Sequence, residues 1–205
     1  MDSNPLQVGL DSRAEKIMYI VAGCNGAGKT TAFRTKLYED LGCPVFINSD
    51  EIAREMCPEN VESVQISAGR KAVEKIYTFL AGDESFCVET TLATRTYLGH
   101  IKKAHENGFK VALFYYWLDS PELAVARVEE RVVEGGHNVP NEVIRERYDK
   151  SVRYLSQLYI PKVDFWKIVN NSGMMSAEIA TSVTEVKNYY LYNDLMNYGK
   201  DDKNK

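Results

Sequence analysis

The segment that most constrains the fold is "GCNGAGKTT" at residues 23–31, a glycine-rich stretch that directly follows the apolar run "KIMYIVA" at residues 16–22. A continuous apolar run that ends at glycine is typical of a strand buried on both faces of a sheet. The residues from Lys29 onward have helical spacing. The segment therefore predicts a strand, a loop and a helix in that order, as in an α/β fold.

Strands and helices are predicted to alternate along the rest of the chain. Predicted strands are residues 16–23, 44–50, 85–91, 110–118 and 164–172, and predicted helices are 29–42, 62–83, 95–108, 120–136, 140–159 and 176–199. This alternation indicates a parallel five-stranded sheet with helices on both faces. We expect a single domain over residues 1–205, with an N-terminal arm at 1–14 and a frayed tail at 200–205. The aromatic residues 115–117, in the most strand-like segment, are expected to pack in the core.

Composition excludes several classes of protein. The 205 residues are 44% hydrophobic, and 25 Lys and Arg against 29 Asp and Glu give a net charge of −4. This balance makes nucleic acid an unlikely partner. Without a long apolar stretch or a secretory signal, we expect no membrane association. The four cysteines form no metal-binding or disulfide pattern, so reduced thiols in a cytoplasmic protein are expected.

The glycine-rich stretch matches the phosphate-binding pattern G-x-x-x-x-G-K-[ST]. Its glycines allow successive N–H groups to turn toward a phosphate, and the helix that follows directs its positive end at the same anion. Lys29 can reach the β- and γ-phosphates, and the Thr30 hydroxyl can ligate Mg²⁺. The residues predicted to bind the nucleotide are Gly23, Asn25, Gly26, Ala27, Gly28, Lys29, Thr30 and Thr31. We therefore expect a P-loop NTPase or kinase fold with ATP and Mg²⁺ as cofactors; the alternative is an ordinary glycine-rich turn.

Two carboxylates are predicted at the ends of neighbouring strands. Asp50 lies at the end of the second strand, and Glu89, with Thr90 and Thr91, lies at the end of the third. Ligands of parallel sheets gather at these strand ends. One carboxylate can accept the proton of a substrate hydroxyl while the other holds Mg²⁺ through water or orients the acceptor. The alternatives are a helix N-cap for Asp50 and an ordinary strand-end residue for Glu89.

Arginines supply the third part of a phosphoryl-transfer site. Arg127 and Arg131 lie one turn apart on a predicted helix that ends at "GGHN". In a mobile segment they can close over the triphosphate and neutralise charge in the transition state; the alternative is a surface pairing with neighbouring glutamates. Arg95 can reach an anionic substrate or be solvated.

Four blocks of the chain, taken in order, resemble the zeta-toxin family of P-loop kinases. The blocks are "AGCNGAGKTT" at 22–31, "INSDEIA" at 47–53, "CVETTLATRTYL" at 87–98 and "GGHNVPNEVIRERYDKSVRYL" at 135–155. The resemblance implies an ATP-dependent kinase, and the best-studied members phosphorylate the 3′-hydroxyl of UDP-N-acetylglucosamine. It also implies an antitoxin protein as a partner.

The resemblance assigns roles by motif position. Asp50 matches the general base of the family, and Lys29 and Thr30 match its phosphate and Mg²⁺ contacts. Glu89 and Thr91 match its substrate-binding carboxylate and hydroxyl. Arg127 and Arg131 fall in the lid region.

The chain departs from the long toxins in two segments that should face the acceptor. Residues 51–60 read "EIAREMCPEN" where an Arg…His-Pro pattern is common, and Arg95 follows Glu89 at a longer spacing. The resemblance therefore implies a kinase more firmly than it implies the acceptor. Other readings are a kinase for a different metabolite, a kinase for a polynucleotide end, and a nucleotide-dependent switch or interaction protein.

Overall fold

The computed structural model describes residues 15–43 and 45–200, without the side chain of Lys36. The arm predicted at 1–14 and residues 201–205 of the predicted tail lie outside the described residues. Within the described part of the chain, no helix is long and apolar enough to cross a membrane.

A six-stranded sheet organises the described residues. Its strands are β1 Ile17–Ala22, β2 Phe46–Ile47, β3 Phe86–Thr90, β4 Lys110–Trp117, β5 Phe165–Asn170 and β6 Ala177–Thr181, in the order β2-β3-β1-β4-β5-β6. The first five strands are parallel, and β6 runs antiparallel to β5. The parallel five-stranded part of the predicted α/β fold is therefore confirmed, and the sixth strand is an addition to it.

Helices connect the strands. They are α1 Lys29–Ala32, α2 Tyr38–Leu41, α3 Ser49–Met56, α4 Gln65–Leu80, α5 Thr96–Glu106, α6 Pro121–Val133, α7 Asn141–Tyr154 and α8 Tyr189–Asn197. A π-helical segment, Phe33–Leu37, joins α1 to α2. The chain runs from β1 out to β2, returns through β3, and crosses β1 to reach β4. Because crossovers between parallel strands are right-handed as a rule, this strand order is expected to put the helices of the first connection on one face and those of the later connections on the other.

The core lies around β1, whose six residues are all buried. In register, β1 pairs with β3 on one side and with β4 on the other, so both its edges and both its faces are covered. This burial explains the unbroken apolar run in the sequence. Tyr115, Tyr116 and Trp117 of β4 are buried, as predicted. All four cysteines are free thiols.

The helix predicted at 176–199 is wrong over its first part. Residues 177–181 form β6, and only Tyr189–Asn197 is helical. Glu178 of β6 forms ion pairs with Lys167 of β5 at 2.8 Å and with Lys187 at 3.0 Å. Ala and Glu favour a helix locally, but pairing with the open edge of β5 outweighs this weak preference.

Candidate functional site

The phosphate-loop sequence forms a tight turn between β1 and α1. Gly23 has φ +144°, and a Cβ there would lie 2.2 Å from the backbone oxygen of Tyr116. Gly28 has φ +75° and precedes the first residue of α1. Both positions therefore require glycine. Lys29 is buried, and its Nζ donates to the Cys24 carbonyl oxygen at 2.9 Å within the same turn.

This turn forms one wall of a cleft of about 1110 Å³. Six of the eight residues predicted to bind the nucleotide line the cleft: Asn25, Gly26, Gly28, Lys29, Thr30 and Thr31. Gly23 and Ala27 do not line it; both are buried beneath the turn. The cleft is also lined by residues from the start of α3, the end of β3, α6, α7 and the turn between α6 and α7.

Glu89, at the end of β3, contacts the phosphate loop directly. Its Oε2 accepts a hydrogen bond from Thr30 Oγ1 at 2.6 Å and another from Asn48 Nδ2 at 3.0 Å. Its Oε1 lies 3.8 Å from Lys29 Nζ, and both side chains are largely buried. Glu89 is therefore not an ordinary strand-end residue: three side chains from two other segments converge on its carboxylate.

The same carboxylate and hydroxyl suit a magnesium ion. Thr30 Oγ1 and the two Glu89 oxygens are hard oxygen donors beside the turn that is expected to hold the phosphates. Among the described residues, no group of three or more His, Cys, Asp or Glu could hold a metal. Mg²⁺ usually takes one or two protein oxygens and completes its shell with phosphate and water. The donors present therefore fit Mg²⁺ bound together with a nucleotide.

Asp50 occupies the first turn of α3 and lines the cleft. The helix cap is Asn48, whose Oδ1 accepts from the backbone N–H groups of Asp50 at 2.8 Å and Glu51 at 3.3 Å. The alternative that Asp50 is the N-cap is therefore wrong. Among the residues that the structure describes, none forms a hydrogen bond or an ion pair with the Asp50 carboxylate.

Burial keeps two other titratable groups near the cleft from acting as bases. It raises the pKa of the Cys24 thiol to about 11, although the nearby Lys29 has the opposite effect. It raises the pKa of the Tyr97 phenol to about 12. Both groups are therefore protonated at neutral pH, which leaves the carboxylates and the His137 imidazole as the candidate bases of this cleft.

Both predicted lid arginines line the cleft, but their guanidinium groups also bind backbone oxygens. Arg127 donates to the carbonyl oxygens of Asn171 at 2.8 Å and Ser172 at 3.0 Å. Arg131 donates to the carbonyl oxygen of His137 at 2.8 Å. The alternative, a surface pairing of these arginines with neighbouring glutamates, is not seen among the described residues. Each arginine therefore holds a loop beside the cleft.

A third arginine, Arg147 of α7, was not singled out from the sequence. It lines the cleft, and its Nη1 donates to Asn25 Oδ1 of the phosphate loop at 3.3 Å. Val143, Glu146 and Lys150 line the same cleft. This i, i+3, i+4, i+7 spacing is one helix face, and it is the signal that could have identified Arg147.

The two remaining residues predicted to bind the substrate, Thr91 and Arg95, differ in their position relative to the cleft. Thr91 lines the cleft. Arg95 does not line it: its side chain is exposed, with the guanidinium carbon 5.7 Å from the ring centroid of Tyr154. The structure therefore gives Arg95 no place among the cleft residues.

The turn between α6 and α7 contacts the opposite wall of the cleft. His137 Nε2 lies 2.7 Å from Gln65 Nε2 at the start of α4, and both residues line the cleft. The Gln65 amide can donate when the imidazole carries its proton on Nδ1. This turn therefore joins two walls of the cleft.

Comparisons with known proteins agree with this geometry. The sequence model of the family described as Zeta toxin matches residues 6–177. An uncharacterized protein of Haemophilus influenzae is 33% identical over 126 residues, which are 62% of this chain and 88% of that protein.

Solved structures share the fold. A crystal structure of AvrRxo1-ORF1 with AvrRxo1-ORF2 and ATP has a TM-score of 0.70 at 17% identity, covering 94% of this chain and 67% of that chain. A structure from the PezAT chromosomal toxin–antitoxin system of Streptococcus pneumoniae has a TM-score of 0.64 at 19% identity, covering 94% of this chain and 81% of that chain. Because the family match spans most of this chain, the chain belongs to the zeta toxin family of P-loop kinases and is an ATP-dependent kinase.

Proposed function

We propose that this kinase transfers the γ-phosphate of ATP to a hydroxyl group of a small molecule, with Asp50 as the general base. The observation that carries the proposal is the position of Asp50. Its carboxylate lines the same cleft as Lys29 and Thr30 and has no hydrogen-bond partner among the described residues. A hydroxyl is a poor nucleophile at neutral pH, and a positioned carboxylate can take its proton as the bond to phosphorus forms.

The other residues of the cleft divide between phosphate binding and acceptor binding. Lys29 and Arg147 supply positive charge to the transferring phosphoryl group, with Arg127 and Arg131 beside them. Thr30 and Glu89 would hold Mg²⁺, which when bound neutralises charge on the phosphate oxygens. The acceptor lies near Asp50 and Thr91.

The family makes UDP-N-acetylglucosamine the first acceptor to test, and its 3′-hydroxyl the reacting group. The departures at residues 51–60 concern α3, which contributes Asp50 and Arg54 to the cleft, so another metabolite stays the alternative. The PezAT relative comes from a toxin–antitoxin system, and AvrRxo1-ORF1 is bound to AvrRxo1-ORF2. An antitoxin partner in the cytoplasm belongs to the same proposal.

The test is phosphoryl transfer from labelled ATP, with Mg²⁺, to a panel of sugar nucleotides, nucleosides and RNA ends. Asp50→Asn should lower kcat by roughly 10²–10⁴-fold and leave ATP binding intact, because the amide cannot accept a proton. Glu51→Gln is the matched control, since Glu51 is adjacent on α3, pairs with Arg34 and does not line the cleft. Transfer by Asp50→Asn at the wild-type rate would exclude Asp50 as the base.

A further inference from the structure

Asn171, directly after β5, contacts the phosphate loop from outside the cleft. Its Nδ2 donates to the carbonyl oxygen of Ala27 at 2.8 Å. A Cβ on Gly28 would lie 2.7 Å from the same Nδ2, so the amide of Asn171 packs against the loop backbone. Neither the phosphate-binding pattern nor the proposed mechanism gives Asn171 a role.

The contact has a geometric consequence for the loop. The carbonyl of Ala27 and the N–H of Gly28 belong to one peptide group, which is planar and trans, so they point in opposite directions. Because the carbonyl is held by Asn171, the Gly28 N–H points away from Asn171. Gly28 lines the cleft, and no described residue accepts a hydrogen bond from its N–H.

The orientation of the Asn171 side chain is itself set by its neighbours. Ser176 Oγ donates to Asn171 Oδ1 at 2.6 Å, which leaves Nδ2 as the end that faces the loop. The backbone of Asn171 is held on both sides: its N–H donates to Trp117 O at 2.8 Å, and its carbonyl accepts from Arg127. The donor to Ala27 is therefore held in place from several directions.

We propose that Asn171 is a positioning residue for nucleotide binding, which holds the Ala27–Gly28 peptide so that the Gly28 N–H faces a phosphate oxygen. The inference rests on the nucleotide site of the proposed function and extends it to the turn after β5. It also assigns Arg127 a part in that site: through its bonds to the Asn171 and Ser172 carbonyls it supports the turn that carries the donor.

The test measures nucleotide binding without any acceptor. Asn171→Ala should weaken ADP and a non-hydrolysable ATP analogue by about 3- to 10-fold, the value of one hydrogen bond. The control is Asn170→Ala, which removes an equal side chain one residue earlier; the Asn170 Oδ1 accepts only from Ser172 N among the described residues and does not touch the loop. This control should bind both nucleotides within about 2-fold of the wild type.

A spectroscopic readout separates positioning from a general loss of structure. In the wild type, ADP should shift the amide resonance of Gly28 strongly. In Asn171→Ala the shift should shrink, while the melting temperature without nucleotide matches that of Asn170→Ala. Ser176→Ala should show the same changes in smaller measure, because Nδ2 remains but is less well oriented.

Three results would overturn the inference: unchanged affinity in Asn171→Ala, an equal loss in Asn170→Ala, or a full Gly28 shift in Asn171→Ala. Failure of the proposed function has a different signature. If the wild-type protein binds ADP but transfers phosphate to no acceptor, the proposed phosphoryl transfer is refuted. The role of Asn171 in nucleotide binding is then still decided by the measurements above.

Discussion

Replacement of Glu89 by glutamine distinguishes between its two candidate roles. The sequence resemblance assigns this carboxylate to the acceptor, whereas the structure places it against Thr30, Asn48 and Lys29 of the nucleotide side. Glutamine keeps the size of the side chain and can still accept from Thr30 and Asn48 through one oxygen. It loses the negative charge beside Lys29 and any bond to Mg²⁺.

The expected size of the effect follows from these contacts. A hydrogen bond or ligand contact that involves a charged group contributes about 1.5–3 kcal/mol, which corresponds to roughly 10- to 100-fold in a binding constant. In the presence of Mg²⁺, we therefore expect Glu89→Gln to weaken an ATP analogue by this factor. In EDTA the sign should reverse or the effect vanish, because the variant removes a negative charge that would face the phosphates.

The assay is titration calorimetry of a non-hydrolysable ATP analogue over a series of Mg²⁺ concentrations. Thr91→Val is the matched control: it removes a hydroxyl from the same cleft and has no contact with Thr30. It should leave the Mg²⁺ dependence unchanged and raise the acceptor KM. If Glu89→Gln keeps the wild-type Mg²⁺ dependence and raises the acceptor KM instead, the assignment of Glu89 to the metal side is refuted.

Two further predictions concern α7 and the core. Arg147→Ala should lower kcat/KM for ATP by about 10²–10³-fold, because it removes a cation from the phosphate side of the cleft. Arg145→Ala should leave kcat/KM unchanged, since Arg145 is exposed, outside the cleft and paired with Glu122. Burial between two tyrosine rings lowers the pKa of His100, so the unfolded chain takes up a proton at higher pH than the folded chain. The stability advantage of neutral His100 is therefore lost as pH falls below about 6.5, and His100→Leu should reduce the acid sensitivity of unfolding by at most about 1.4 kcal/mol per pH unit.

A specific result would contradict each of these two predictions. Equal kinetic losses in the two arginine variants would mean that charge on α7 matters in general and that the contact of Arg147 with Asn25 does not. Urea unfolding of the wild type and His100→Leu between pH 7 and pH 5 tests the second prediction. A constant difference in unfolding free energy across that range would rule out a histidine that is neutral when folded.

The parts of the site that follow from local sequence were predictable. Strand ends of a parallel sheet bring their residues to one edge, so the sequence placed Asp50 and Glu89 near the phosphate loop. The same rule applies at the end of β5, where it would have identified Asn171. The position of Arg147 was harder to predict, because a helix has several faces and only tertiary packing decides which of them lines the cleft.

The fold was predictable for a similar reason. Long apolar runs such as β1 have few alternatives in a chain that must bury them. The strand β6 was missed because its five residues have no strong preference of their own, and its structure depends on the open edge of β5 beside it. Pairing of β6 with β5 is a tertiary effect, and local propensity carries no information about it.

The contact between Gln65 and His137 bears on how ligands enter and leave. Among the described residues, a single side-chain hydrogen bond joins the α6–α7 turn to α4. Such a bond contributes about 0.5–1.5 kcal/mol net, so it favours the joined arrangement by about 2- to 10-fold. We therefore expect a separated arrangement to be populated in the free protein. Ligands can then enter and leave between the α6–α7 turn and α4 without a rare opening of the protein. A long residence time of bound nucleotide therefore has to come from the contacts of the nucleotide with the phosphate loop.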